Sequence, residues 1–304
     1  MPDSSAWVFP GQGSQEAGMG RDLYDAEPAA RELFDRADRV LNRPISRLCF
    51  EGPADELSKT FNAQPAIYLT SLACLAVARA TGVLAGEPSF VSGHSLGEYT
   101  ALAAADAIGF DDGLRLVEQR GKLTQAAADA TPGRMAAVLG LDEAAAQAVC
   151  DESGTELCNI NSPGQVVIGG GTDAITKACA LAIERGARRA IPLDVGGAFH
   201  TSLMEPAVSG MSEALAAIEI RAPRIPVVAN NLGRPIVDPQ AIREELAFQL
   251  THPVRWVQCV EYMAGEGVTT FVEIGPGRVL SGLIKRIAKD VATKNINGMG
   301  SLTT

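Results

Sequence analysis

Short apolar runs that stop at glycine or proline alternate along this chain with longer stretches of helical periodicity. Trp7-Val8-Phe9 stops at Pro10-Gly11-Gln12-Gly13, the sign of a strand ending in a tight turn. Helical patterns follow over 29–41, behind Pro28 at a first turn, and over the apolar stretch 66–80. Phe90-Val91-Ser92 predicts a second buried strand, which ends in Gly93-His94-Ser95-Leu96-Gly97 and runs straight into a helix over 98–105. Another helix is read over 114–122.

From about Gly133 the rhythm changes. Strand, helix, strand, strand, helix and strand are read over 135–141, 142–153, 157–161, 165–169, 173–185 and 189–195. The order βαββαβ is that of a ferredoxin-like unit, about 70 residues long, and it interrupts the surrounding pattern. Beyond it come a Gly-rich loop over 196–200, a helix over 209–218 and a strand over 226–229. A helix over 241–249, a strand over 270–274 closing on Gly275-Pro276-Gly277, and a helix over 279–288 complete the pattern. Short apolar strands alternating with helices predict an α/β core with a parallel sheet. The polar, Gly-containing tail from Thr293 onward is read as frayed.

Composition narrows the function classes. The 304 residues are 46% hydrophobic and 20% charged, so disorder and coiled coil are out. Roughly three-quarters of the surface of such a chain is buried on folding, enough for a core without staples. The net charge of −10 comes from 36 acidic against 26 basic residues, with no long Lys or Arg block, which argues against nucleic acid as a partner. An anionic substrate stays open, because a few well-placed arginines hold an anion inside an acidic protein. Six scattered cysteines, with no C-x-x-C and no cluster with His, form neither a metal site nor a disulfide framework. No basic segment followed by an apolar run opens the chain, and the run 65–78 is shorter than the ~20 residues that span a bilayer. The expectation is a cytoplasmic protein with no membrane association.

Gly93-His94-Ser95-Leu96-Gly97 matches G-x-S-x-G between a strand and a helix. In that context the turn is so tight that glycine alone tolerates the crowding, and the serine oxygen is lifted to the helix N-terminus. The position supplies an exposed nucleophile and helix N–H groups aimed at a developing oxyanion. Ser95 then needs a base, and the chain has three histidines: His94, His200 and His252. His94 adjoins Ser95 and points elsewhere across the elbow, where it orients the turn or lines the cleft. His252 follows a helix in Thr251-His252-Pro253. The Gly-rich loop before it makes His200 the favoured base. An α/β-hydrolase places its histidine near the C-terminus behind an acid, whereas here more than 100 residues follow His200 and no third member is compelled, although Asp194 lies shortly before it.

Several strings together resemble the malonyl-CoA:acyl carrier protein transacylases of fatty acid synthesis and the acyltransferase domains of polyketide synthases. They are Phe9-Pro10-Gly11-Gln12-Gly13-Ser14-Gln15, Gly93-His94-Ser95-Leu96-Gly97-Glu98-Tyr99, Gln119-Arg120-Gly121, Asn161-Ser162-Pro163-Gly164-Gln165 and Ala198-Phe199-His200. Gln249, Pro253-Val254-Arg255-Trp256 and Glu273-Ile274-Gly275-Pro276-Gly277 follow in family order. The resemblance implies an α/β fold in which a hydrolase-like large subdomain with a short parallel sheet, 1–128 and 196–304, carries an inserted ferredoxin-like small subdomain, 129–195. It implies Ser95 as the acyl-carrying residue, His200 as its base, the N–H groups of Gln12 and Leu96 as the oxyanion hole, and a Gln249 carbonyl as the group that orients the histidine. Asn161 falls in the small-subdomain wall of the cleft, and His94 and Phe199 join it as substrate-side residues.

Arg120 matches the residue that binds the free carboxylate of malonate. A guanidinium is a planar fork that meets a carboxylate with two charge-assisted hydrogen bonds, although without the neighbouring motifs a surface arginine on its helix is the plainer reading. Phe199 leaves little room beside the substrate α-carbon, as in polyketide acyltransferases that take malonyl units, where methylmalonyl goes with Y-A-S-H. The implied activity is malonyl transfer from malonyl-CoA, through acyl-Ser95, to the phosphopantetheine thiol of an acyl carrier protein, with no metal or other cofactor. A stand-alone polyketide acyltransferase, a hydrolase-type esterase or thioesterase, and a non-catalytic carrier-docking module are the rivals. Nothing in the sequence demands more than a monomer. CoA thioester and carrier protein are themselves anions, so docking on a −10 chain needs a local basic surface. The candidates are Arg185, Arg188 and Arg189 on the inserted unit and Lys285, Arg286 and Lys289 on the last helix.

Overall fold

The computed structural model describes residues 4–302. Ten strands form two sheets among the described residues: β1 (Ser5–Phe9), β2 (Phe90–Gly93), β3 (Gly133–Leu139), β4 (Glu156–Ser162), β5 (Gln165–Gly171), β6 (Arg189–Pro192), β7 (Val227–Val228), β8 (Pro235–Ile236), β9 (Thr270–Ile274) and β10 (Ala292–Ile296). The first sheet has the order β10-β9-β1-β2-β7-β8 and is parallel except for the hairpin-like β7–β8 edge. Along β1, Trp7 and Phe9 enter one apolar core while Ala6 and Val8 enter another. The period-2 alternation therefore separates two buried faces rather than core from water, as a helix-covered parallel sheet requires.

The helix Thr60–Ala80 fills the first core and is apolar around its whole circumference. It is long and apolar enough to cross a bilayer, but 89% of its most apolar window is buried inside the fold, which makes it a core helix. It starts a turn and a half before the predicted 66, because Pro65 is accommodated inside it. Proline cannot bond the carbonyl four residues earlier. That carbonyl, on Phe61, is met instead by Arg43 Nη2 at 3.4 Å.

The second sheet is antiparallel with the order β4-β5-β3-β6. Its helices, Glu143–Ser153 and Thr172–Glu184, pack on one face through Ala136, Val138, Val166 and Ile168. On the opposite face Met135, Cys158 and Val167 meet Phe199. This ferredoxin-like unit lies in sequence between β2 and β7 of the parallel sheet, so the α/β fold has two subdomains, one interrupting the other. They are laced by main-chain hydrogen bonds from Ile160 N–H to Val254 O and from Val254 N–H to Cys158 O, both 2.9 Å.

The tail corrects the sequence reading. Thr293 and its neighbours form β10, which pairs in parallel with β9 along five residues, and Ile296 closes the core. The alternation of exposed and covered side chains is that of an edge strand, where ladder hydrogen bonds supply what apolar content does not. Residues 303–304 of that tail lie outside the described ones. The short helices Arg21–Ala26, Ile45–Glu51 and Ala54–Ser58 were not read from the sequence, because one or two turns are too few to establish a helical period.

Candidate active site

At the C-terminal end of β2 the chain reverses so sharply that a Cβ on Gly93 would lie 2.0 Å from the Gly97 backbone, and one on Gly97 would lie 2.1 Å from Phe9 O. Both glycines are sterically required. Between them Ser95 takes a left-handed φ of 53°, costly for a residue with a side chain. Asn230, two residues beyond β7, compensates. Its Oδ1 accepts from Ser95 N–H at 2.6 Å and its Nδ2 donates to Gly93 O at 2.6 Å, holding the elbow from both sides. The helix Gly97–Ala104 follows at once.

His200, also left-handed at φ 62°, places Nε2 2.7 Å from Ser95 Oγ. Its Nδ1 faces the Gln249 main-chain oxygen at 2.8 Å. A carbonyl oxygen only accepts, so Nδ1 carries the proton and the Nε2 lone pair is directed at the serine hydroxyl. Burial, and after it the charge of Arg120, push the His200 imidazole down to about 3, so the ring is neutral and ready to accept a proton.

Arg120, 5% exposed, extends from the helix Phe110–Ala130 to the same point. Nη2 donates to Ser95 Oγ at 3.1 Å and to Gln249 Oε1 at 3.0 Å, Nη1 donates to Gln64 Oε1 at 2.9 Å, and the guanidinium lies 5.4 Å from the Tyr99 ring. Nε has no partner, and no carboxylate lies within ion-pair distance among the described residues. A buried cation with only neutral neighbours is costly, and an anion drawn against it relieves that cost.

Ser95, His200 and Arg120 line a cavity of about 310 Å³ with Gln12, Gln64, His94, Met135, Asn159 and Phe199. The N–H groups of Gln12 and Leu96 take part in no hydrogen bond among the described residues, and Ser95 N–H is occupied by Asn230. The Leu96 side chain is in the core, so only its backbone can serve the site. Gln12 Nε2 approaches Thr60 Oγ1 at 3.5 Å. His94 stands on Trp256, ring centroids 5.7 Å apart, with Nε2 2.8 Å from Asn161 Oδ1. Asn161 thus fixes His94, while Asn159, two residues earlier, lines the cavity. Phe199 lines it from the small-subdomain side. His252 is outside, stacked on Phe248 with Nδ1 3.0 Å from Phe248 O.

Three residues that shape the site were given no role by the sequence reading. Gln64 sits in the early turns of the Thr60–Ala80 helix, which the Pro65 signal had hidden. Asn230 lies just beyond the C-terminal end of β7, the position where open α/β sheets place ligand-handling groups. Glu98 is fully buried below the elbow, with Oε2 accepting from Gln249 Nε2 at 2.6 Å.

A second cavity, about 630 Å³, is lined by Leu139, Pro163, Gly164, Gln165, Arg188, Arg189 and Arg286. Both basic clusters named from the sequence therefore contribute to one rim, which Arg286 Nη1 ties across by donating to Gln165 Oε1 at 2.7 Å. Arg185 is instead paired with Glu152, and Lys285 and Lys289 do not line the cavity.

Comparisons with known proteins give the family around this site. Residues 6–301 match the family model described as an acyl transferase domain. The chain is 46% identical over 293 residues to the malonyl CoA-acyl carrier protein transacylase of Bacillus subtilis (strain 168), covering 95% of this chain and 92% of that protein. The crystal structure of an acyl carrier protein S-malonyltransferase from Vibrio cholerae superposes with a TM-score of 0.95 at 42% identity, covering 98% of both chains. A malonyl-transacylase solved in complex with its type II PKS acyl-carrier protein is equally close in fold, with a TM-score of 0.94 and 42% identity over 98% of this chain and 97% of that one. With the family's strings in order along the sequence and its two-subdomain fold around them, the chain belongs to the malonyl-CoA:acyl carrier protein transacylase family of acyl transferases.

Proposed function

We propose that this protein moves the malonyl group of malonyl-CoA through an ester on Ser95 to the phosphopantetheine thiol of an acyl carrier protein in fatty acid synthesis. The observation that carries the reading is Arg120: a buried guanidinium without a counter-ion, in hydrogen-bond contact with the nucleophile. That is where a malonyl group esterified to Ser95 would present its free carboxylate, and Arg120 Nε is the guanidinium nitrogen that has no partner.

The steps balance with residues of the site alone. His200 Nε2 takes the Ser95 proton as Oγ attacks the thioester carbonyl, and the oxyanion is met by the N–H groups of Gln12 and Leu96. The C–S bond breaks, CoA leaves as the thiol with the proton from His200, and malonyl-Ser95 remains. The carrier's thiol then gives its proton to His200 and attacks the ester, and Ser95 recovers a proton as it departs. No electron changes hands, His200 carries each proton and two N–H groups meet the oxyanion, so the exchange as written calls on neither a redox cofactor nor a metal.

A hydrolase would favour the opposite arrangement at the base. A carboxylate behind the histidine stabilises the imidazolium in a hydrolytic triad, whereas His200 is backed by a carbonyl. The 2.7 Å contact between Ser95 and His200 supports an enzyme rather than a docking module. For the carrier we assign the rim formed by Arg188, Arg189 and Arg286. Met135 in the first cavity and Leu139 in the second stand four residues apart on the same face of β3, about 13 Å, a spacing that an extended pantetheine arm bridges.

The test is to mix the protein with labelled malonyl-CoA and follow label onto Ser95 and then onto added carrier protein. Labelling and transfer by Ser95→Ala would overturn the reading. Ala198-Phe199-His200 keeps a polyketide carrier as the second acceptor to try, and a strong preference for it over a fatty acid carrier would move the protein to that pathway.

A further inference from the structure

Gln249 is bonded to the residues of the nucleophile, the base and the arginine at once. Its main-chain oxygen holds His200, its Oε1 accepts from Arg120 Nη2, and its Nε2 donates to Ser95 O at 3.1 Å and to Glu98 Oε2 at 2.6 Å. We propose that Glu98 is a positioning residue for substrate selection: by accepting from Gln249 Nε2 it fixes the side-chain amide with its oxygen toward Arg120, and so sets the guanidinium where a substrate carboxylate must meet it. The inference rests on the proposed malonyl transfer and adds a residue that touches neither substrate nor the reacting atoms.

An amide has one accepting and one donating end, so its orientation is decided by what surrounds it. Arg120 only donates. Ser95 O accepts, and Glu98 Oε2 already accepts from Asn230 N–H at 3.3 Å, so a reversed Gln249 would set donor against donor and oxygen against oxygen. Of the two contacts that hold Nε2, the one to Glu98 is shorter by half an ångström, which makes it the stronger anchor. Glu98 is itself immobile, on the first turn of the Gly97–Ala104 helix and completely buried. Burial and the neighbouring Glu245 push its carboxyl well up, so it can serve as a hydrogen-bond acceptor without setting a full negative charge against the Arg120 that the substrate needs. Its second oxygen, Oε1, has no partner, and packing alone gives no reason for such a costly group at this place.

Glu98→Met keeps the bulk and removes the acceptor, whereas Glu98→Gln keeps an acceptor. Selectivity, the ratio of kcat/KM for malonyl-CoA to that for acetyl-CoA, is expected to fall about ten- to a hundredfold in Glu98→Met, the range for losing a hydrogen bond that holds a charged group, and to be restored in Glu98→Gln. A residue that only stabilised the fold would lower the melting temperature and slow both substrates in proportion. Should Glu98→Met fail to fold, Gln249→Leu tests the same link, since it deletes the amide but keeps the main-chain oxygen used by His200, and the same loss of selectivity is expected. Unchanged selectivity in the folded variant, with Ser95→Ala inactive, overturns the positioning role alone; an active Ser95→Ala overturns the functional reading beneath it.

Discussion

The Nδ1–H of His200 donates to the main-chain carbonyl of Gln249, 2.8 Å away. A carbonyl fixes the tautomer as firmly as a carboxylate does but adds no charge, so nothing at Nδ1 favours the imidazolium strongly. Burial and Arg120 then dominate, and the ring stays neutral far below its ordinary value of about 6.5.

With His200 as the base we propose, that relationship sets the acid limb of the activity. The base works in its neutral form, which prevails above its pKa, so lowering the pKa extends activity toward acid. The pH profile of kcat/KM for Ser95 malonylation should keep its plateau well below pH 6.5, with the His200 limb shifted toward about 3. Replacing Arg120 with Gln removes the second cause of the shift, so the limb should move up. A wild-type limb centred near 6.5 would contradict the account.

Arg120→Ala tests the carboxylate clamp. An acyl group without a carboxylate leaves the buried guanidinium unpaired at a cost of about 3–5 kcal/mol, roughly a hundredfold to a few thousandfold in kcat/KM. The wild type should therefore reject acetyl-CoA by that factor, and Arg120→Ala should lose malonyl transfer while gaining relative acetyl transfer. Competition between the two labelled thioesters measures both, and an unchanged ratio removes the clamp.

Asn230→Ala should damage stability and rate together. The side chain makes hydrogen bonds to Ser95 N–H and Gly93 O in a fully buried place, and deleting it strands both main-chain groups, costing about 2–4 kcal/mol. The released Ser95 N–H also loses what holds its left-handed φ. Denaturant titration and single-turnover acylation should both register the change, with acylation slowed even where the protein is fully folded.

Charge reversal at Arg189 and Arg286 tests the carrier rim. Neither arginine is in an ion pair among the described residues, so melting temperature should hardly move. Transfer from malonyl-Ser95 to carrier protein should fall about tenfold or more and become less dependent on salt, while transfer to free pantetheine, which lacks the carrier's acidic surface, should stay near wild type. Equal effects on both acceptors would place the arginines elsewhere in the cycle.

What was legible in the sequence is what the backbone enforces locally. Gly93 and Gly97 announce the elbow because the crowding that demands them lies within a few residues and the neighbouring strand. The βαββαβ order of the inserted unit could be read because each element carries its own period, while β10 was missed because an edge strand draws its stability from ladder bonds that leave little apolar signature.

Sequence alone thus determined the α/β alternation, the interruption by a ferredoxin-like unit, and the nomination of Ser95, His200 and Arg120. Only the tertiary structure decided that Gln64, Asn230, Glu98 and the side-chain amide of Gln249 converge on them, and that Asn161 serves His94 while Asn159 lines the cavity. The physical reason is range. Periodicity and turn chemistry act between near neighbours in the chain, but a buried polar group must find its partner wherever the packed core brings one, and Asn230 is 135 residues from the serine it steadies.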